Sequence, residues 1–121
     1  MFLLGIDVGT SSIKVSVVDA QSQKVVASSQ YPDTENTIQS PQEDWAEQEP
    51  AMWWNCVQKA IRRANATGHY DPLDVAAIGI AYQMHGLVLT DAAGKSLRPS
   101  IIWCDSRAVP YGERAYGNLG A

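Results

Sequence analysis

Two short stretches hold the residue types from which a phosphate-handling site could be built. In the first, Ile6-Asp7-Val8-Gly9-Thr10-Ser11-Ser12, an apolar run ends on a carboxylate and gives way to small polar residues, with Lys14 just beyond. A carboxylate at a strand end can hold magnesium, directly or through water, beside the terminal phosphates of a nucleotide. Gly9 lets the turn approach a phosphate closely, while backbone N–H groups and the hydroxyls of Thr10, Ser11 and Ser12 can donate to its oxygens. Lys14 would neutralise charge as a point cation rather than by forked recognition. The same residue types make ordinary hairpin turns, so the string alone leaves a plain turn open. The apolar run before it, and the strand after it that carries Lys14 on the face of Ser12, favour the site.

The second stretch is Gln83-Met84-His85-Gly86, with Trp103 and Asp105 further on. Gln83 and His85 can donate and accept hydrogen bonds as a polyol or sugar requires, and Met84 offers an adaptable apolar wall. The ring of Trp103 could stack on a carbon skeleton, and Asp105 could accept from hydroxyls. Each has a plainer reading: His85 as a turn residue, Trp103 as core beside Trp53 and Trp54, Asp105 as a helix cap. What favours the site is their convergence on one sheet end. Asp44-Trp45-Ala46-Glu47-Gln48 reads as a loop anchored by its Trp, with carboxylates serving a helix start.

Strands are needed to present these residues. Residues 2–7 are almost continuously apolar, which suits a central strand covered on both faces. Ile13, Val15 and Val17 alternate with Ser12, Lys14 and Ser16, predicting a half-buried strand. A turn at residues 19–23 and a third strand over 24–31 complete an antiparallel meander. Residues 32–49 lack periodicity and read as a long loop. From Pro50 onward, Trp53, Val57, Ala60, Ile61 and Ala64 form one helical stripe that Gly68 stops; Glu47 and Glu49 complement its positive start, and Asn55, Lys59, Arg62 and Arg63 face water.

Residues 75–82 follow a helix, so a crossover should run them parallel to the first strand and bring their end beside Asp7, where open α/β sheets bind ligands. Residues 87–90 and 96–98 flank Asp91-Ala92-Ala93-Gly94-Lys95 as a hairpin, and 100–103 form a short strand. Asp105 or Ser106 then caps a helix that Pro110, Gly112, Gly117 and Gly120 keep short or broken.

Composition narrows the function. The 121 residues are 45% hydrophobic and 18% charged, which excludes collagen-like, coiled-coil and disordered classes. Nine Lys plus Arg against 13 Asp plus Glu give a net charge of -4, which argues against nucleic acid as a partner. No apolar run approaches the roughly 20 residues that cross a bilayer, and Met1-Phe2-Leu3-Leu4 lacks the start of a signal peptide. The expectation is a cytoplasmic protein with no membrane partner. Cys56 and Cys104 support neither a disulfide framework nor a zinc site and are expected as buried packing residues.

Along nearly its whole length the chain resembles the FGGY family of carbohydrate kinases. The resemblance is carried by Gly5-Ile6-Asp7-Val8-Gly9-Thr10-Ser11, by Asp44-Trp45-Ala46-Glu47-Gln48-Glu49-Pro50 with Trp53-Trp54, by Gln83-Met84-His85-Gly86, and by Arg98-Pro99 with Ile102-Trp103-Cys104-Asp105. Gln-Met-His-Gly is the form that xylulokinase members carry, where glycerol kinases have Arg-Glu in place of Met-His. The resemblance implies an α/β, actin-like ATPase or ribonuclease-H-like fold, with a mixed sheet of about five strands and flanking helices. It implies ATP-dependent phosphorylation of a pentulose such as D-xylulose. Asp7 then stands near magnesium and the transferred phosphate, Gly9, Thr10, Ser11, Ser12 and Lys14 form the phosphate loop, and Gln83, Met84 and His85 contact sugar, with Trp103 and Asp105 as further contacts.

Family members run about four times this length, as two or more domains. The resemblance therefore implies that residues 1–121 are the N-terminal portion of a sugar-binding domain, with the nucleotide-binding domain and the catalytic Asp base beyond the chain. Apolar surface exposed where the rest of such a domain packs would favour self-association, as a homodimer. The alternatives are a kinase of ribulose, fuculose or gluconate in the same family, and a non-catalytic actin-like binding domain.

Overall fold

The computed structural model describes residues 1–120. They form two units: residues 1–37 with 50–84, and residues 38–49 with the chain from His85 onward. The first unit is built on strands β1 (Phe2–Val8), β2 (Ile13–Asp19) and β3 (Lys24–Tyr31), the meander expected from the alternation. Its neighbour in the sheet is β5 (Val75–Tyr82), which runs parallel to β1, so the order is β3-β2-β1-β5. A right-handed crossover through a helix is the usual way to lay a later strand parallel to an earlier one.

That helix, α1 (Pro50–Asn65), packs against β1, β2 and β3. Its stripe of Cys56, Val57, Ala60 and Ala64 meets Leu4, Ile6, Ile13, Val15, Val17 and Ala27 in one apolar core. Small residues at positions 60 and 64 let the helix lie close to the sheet, and the Ser29 hydroxyl donates to the Ala60 carbonyl at 2.6 Å. On the outer side, Arg63 grips Asp33 through two nitrogens at 2.7 and 2.8 Å.

The sheet is one-sided, which corrects the expectation of a β1 covered on both faces. Leu4 and Ile6 point into the core, while Leu3, Gly5 and Asp7 are exposed. The apolar run reflects one face buried under α1 and small or terminal residues on the other. Beyond the reach of α1, Ile78, Ile80 and Tyr82 of β5 are also exposed, Ile80 at 63%.

The second unit holds a two-stranded sheet of β4 (Glu47–Gln48) and β6 (Ser100–Ile101), and helix α2 (Val109–Leu119). Three expectations are revised here. The loop over 32–49 contains β4, because Glu47 and Gln48 pair with Ile101 and Ser100. The hairpin around Asp91 is present but its arms are too short to be regular strands: Thr90 bridges Ser96, the Asp91 amide donates to the Lys95 carbonyl and the Leu97 amide to the Leu89 carbonyl, both at 2.9 Å, and the Asp91 side chain accepts from the Ala93 and Lys95 amides at 2.9 Å. Helix α2 is continuous through Gly112 and Gly117, because Pro110 falls in its first turn, where no amide donor is needed.

Cys56 is buried, and burial pushes its thiol up from the ordinary value. Cys104 is exposed, contrary to expectation: it lies past the end of β6, where the chain turns outward.

Candidate functional site

In the first unit β1 delivers Asp7 to the sheet end and the chain reverses over residues 9–12 into β2. The reversal is tight: a Cβ on Gly9 would stand 2.8 Å from the Ser12 carbonyl oxygen, a distance that side chains do not tolerate. Glycine is therefore required here by close approach. The antiparallel register then sets Lys14 directly opposite Asp7, and the parallel register sets Ala81 on the other side. Asp7, Lys14 and Ser16 share the uncovered face of the sheet with Gly5, Gly79 and Ala81, along a shallow trough of about 510 Å³. The small residues keep this trough open beside the two charges.

The turn is tied down by two neighbours. The Thr10 hydroxyl donates to Gln83 Oε1 at 3.0 Å, and the Gln83 amide donates to the Val8 carbonyl at 3.2 Å. The Asn36 amide donates to the Ser11 carbonyl at 2.7 Å, so a residue with no sequence signal is part of the turn's support. Ser11 is exposed and Ser12 half-buried. Gln83 Nε2 is buried with no hydrogen-bond partner among the described residues. Buried donors are seldom left so, and a ligand oxygen or ordered water is the usual reason.

The second unit carries His85 and Trp103. His85 is exposed and adopts φ 64°, the left-handed region that non-glycine residues enter at a cost. Gly86 follows because a Cβ there would stand 3.3 Å from the Ile101 carbonyl. Leu87 then pairs with Ile101 through bonds of 2.8 and 3.1 Å. His85 and Trp103 thus flank the same docked pair, one two residues before Leu87 and the other two residues after Ile101. Trp103 is 58% exposed, and Met84, at the end of the first unit, is exposed as well.

Asp105 is placed differently from expectation. Its side chain is only 1% exposed, and its oxygens accept from the Ala46 amide at 2.6 Å and from the Arg107 amide and guanidinium at 2.6 to 2.9 Å. Burial alone would raise its pKa, but the bonds from Arg107 and Ala46 outweigh it and hold the carboxyl below the usual carboxylate range. Glu47 does not serve the helix start either: it accepts from Arg107 at 2.7 Å and from Arg98. Arg107 was not singled out from sequence, and Arg98 only as part of the Arg98-Pro99 resemblance, with no role given to it. Their pairing with Glu47 spans 60 and 51 residues, beyond any local pattern.

The strand order β3-β2-β1-β5, with a carboxylate closing the first strand above a glycine turn, defines an actin-like ATPase fold, and solved kinases share it. The chain belongs to the FGGY family of carbohydrate kinases: residues 2–115 match the family's N-terminal domain. It is 41% identical over 107 residues to the xylulose kinase of Escherichia coli, covering 88% of this chain and 21% of that one. Among solved structures it is similar to a "xyloylose kinase" from Brucella ovis, 31% identical with a TM-score of 0.88, over 98% of this chain and 24% of that one. It is similar also to a gluconate kinase from Lactobacillus acidophilus, 28% identical with a TM-score of 0.82, over 97% of this chain and 22% of that one. The chain therefore spans between a fifth and a quarter of the length of these relatives. Among the described residues no helix is long and apolar enough to cross a membrane.

Proposed function

We propose that residues 1–121 are the N-terminal portion of the sugar-binding domain of an ATP-dependent pentulose kinase acting on D-xylulose in the cytoplasm, with the nucleotide-binding domain outside this chain. The observation that carries this reading is the bond from Thr10 to Gln83: the residue that steadies the turn is also the first of Gln83-Met84-His85-Gly86. The phosphate-facing turn and the first residue of the sugar-facing segment are then joined by one hydrogen bond across 73 positions.

The residues present fit a magnesium nucleotide. The turn closes so tightly that a Cβ at Gly9 would fill it, and the Thr10, Ser11 and Ser12 hydroxyls adjoin the Asp7 and Lys14 charges. Asp7 would hold the ion, and Ser11, Ser12 and Lys14 the terminal phosphates, while the Thr10 hydroxyl, committed to Gln83, would shape the turn around them; the ion would supply charge neutralisation at the transferred phosphoryl group. Gln83 Nε2 donates to a ligand oxygen, His85 exchanges hydrogen bonds with sugar hydroxyls, and Met84 and Trp103 supply apolar walls. Asp105 serves by holding the 44–48 segment. Phosphoryl transfer also needs a base for the attacking hydroxyl, which the family places outside these residues, so the chain alone is inactive.

A chimera tests this. The matched N-terminal segment of the E. coli xylulose kinase is replaced by this chain, and ADP release is followed with a panel of ketoses, polyols and gluconate. D-Xylulose should be the preferred substrate, an analogue lacking the recognised hydroxyl should fall by about 10⁴-fold, and Asp7→Ala should cost at least about 10²-fold. A chimera that prefers gluconate or L-ribulose, or that is indifferent to Asp7→Ala, overturns the reading.

A further inference from the structure

The second unit contains a cluster of covered charges that phosphoryl transfer does not use. Arg107 is its centre. Its Nε donates to both oxygens of Asp105 at 2.9 Å, its Nη2 to Asp105 Oδ2 at 2.6 Å and to Glu47 Oε1 at 2.7 Å. The guanidinium carbon also lies 3.6 Å from the centroid of the Trp45 ring. The side chains of Arg107, Glu47 and Asp105 are 14%, 6% and 1% exposed, and Arg98 is a second cation on Glu47. Two cations and two anions balance, with Arg98, 38% exposed, at the solvent edge of the group. Such a cluster is poor evidence of stability, since apolar side chains of similar volume often hold a fold as well. What a fork-shaped, multiply bonded cation supplies is fixed geometry.

That geometry leads to the sugar-contact segments. Glu47, held by Arg107, pairs through β4 with Ile101, and Ile101 pairs with Leu87. Asp105, held by the same guanidinium, accepts from the Ala46 amide, and the Ile102 amide donates to the Ala46 carbonyl at 3.0 Å. His85 and Trp103 each lie two residues beyond the antiparallel Leu87–Ile101 pair, at the same end of it. One side chain thereby links the 45–47 segment, β6, and both segments that carry His85 and Trp103.

We propose that Arg107 is a positioning residue for the sugar-contacting wall, setting the places of His85 and Trp103 through Glu47, Asp105 and β6. It rests on the kinase reading above for the identity of the ligand, and on the bonds alone for the coupling. Lysine at this position keeps the charge and loses both the fork and the stack.

Two measurements test it. In the 121-residue chain, amide exchange of Arg107→Lys and Glu47→Gln is compared with the parent. Exchange at Leu87, Ile101 and Ile102 should rise about tenfold or more while the β1–β2 ladder stays within about twofold. Unchanged exchange at Leu87 and Ile101, or an equal rise in the β1–β2 ladder, overturns the coupling. In the chimera, Arg107→Lys should raise the ketose KM about tenfold and leave the ATP KM within about twofold, a split that simple loss of folded enzyme does not produce. D-Xylulose turnover with an unaltered ketose KM overturns the positioning role and leaves the kinase reading standing. A wild-type chimera that folds and phosphorylates no sugar overturns the kinase reading, and amide exchange then decides the coupling on its own.

Discussion

Gly9 follows the end of β1 and Gly79 lies within the neighbouring β5, and the structure predicts opposite responses of the two to a single methyl group. At Gly9 an added Cβ meets the Ser12 carbonyl oxygen at 2.8 Å, whereas at Gly79 nothing lies within 4 Å. Relieving the first contact requires backbone to move by about half an ångström, because the obstacle is a carbonyl rather than the tip of a flexible side chain. Overpacking of that kind costs about 1–3 kcal/mol. Gly79→Ala removes the excess freedom of glycine in the unfolded chain and should gain about 0.5 kcal/mol. With an unfolding entropy of about 2.1 cal/mol/K per residue, a chain of this size shifts by about 4 °C per kcal/mol.

Gly9→Ala should therefore lower Tm by about 4–12 °C and Gly79→Ala should raise it by about 2 °C, read by circular dichroism or calorimetry on the 121-residue chain. The displaced turn should also lose the Thr10–Gln83 bond, so the Thr10 hydroxyl resonance should move in Gly9→Ala and stay in Gly79→Ala. Equal shifts in the two variants would refute the argument that close approach, rather than strand propensity, requires glycine at position 9.

Two further outcomes follow from the core and the buried charges. Ile13 is 0% exposed under α1 and Ile80 is 63% exposed on β5, so Ile13→Ala should cost about 2–5 kcal/mol and Ile80→Ala under about 0.5 kcal/mol in urea unfolding; similar costs would contradict a one-sided core. Asp105 has its carboxyl held below the unfolded value, so the native state binds that proton less readily than the unfolded chain. Its stabilisation is then fully present above the unfolded carboxylate range, near pH 4, and is lost as pH falls through the lower folded value. Urea midpoints from pH 6 to pH 2 should drop less steeply in Asp105→Asn than in the parent, and parallel curves would remove Asp105 from the acid transition.

The meander, α1 and the parallel β5 were legible because each is written in a local period: two along β2, three to four along α1. The turn at Gly9 was legible for a different reason: Asp, Gly, Thr and Ser favour turns whatever their use, and the apolar run before them and the alternating strand after them fix where the chain reverses. The uncovered face of β1 was misread because Leu3 and Gly5 are as apolar in a string as Leu4 and Ile6, and only the position of α1 distinguishes them. Cys104 was misread in the same way: nothing near it in sequence says that β6 stops at Ile101.

The sequence by itself determined the meander, α1 and β5, the motif that ends β1, and membership of the carbohydrate kinases, because sterics, periodicity and motif spacing act within a few residues. Tertiary structure alone decided that Thr10 meets Gln83 across 73 positions, that Asp105 turns to Ala46 across 59, and that Arg107 reaches Glu47 across 60. Each of those contacts depends on how distant strands come into register. For charged groups in particular, a partner is chosen by whichever opposite charge is buried alongside, which is a property of packing and not of the neighbouring residues.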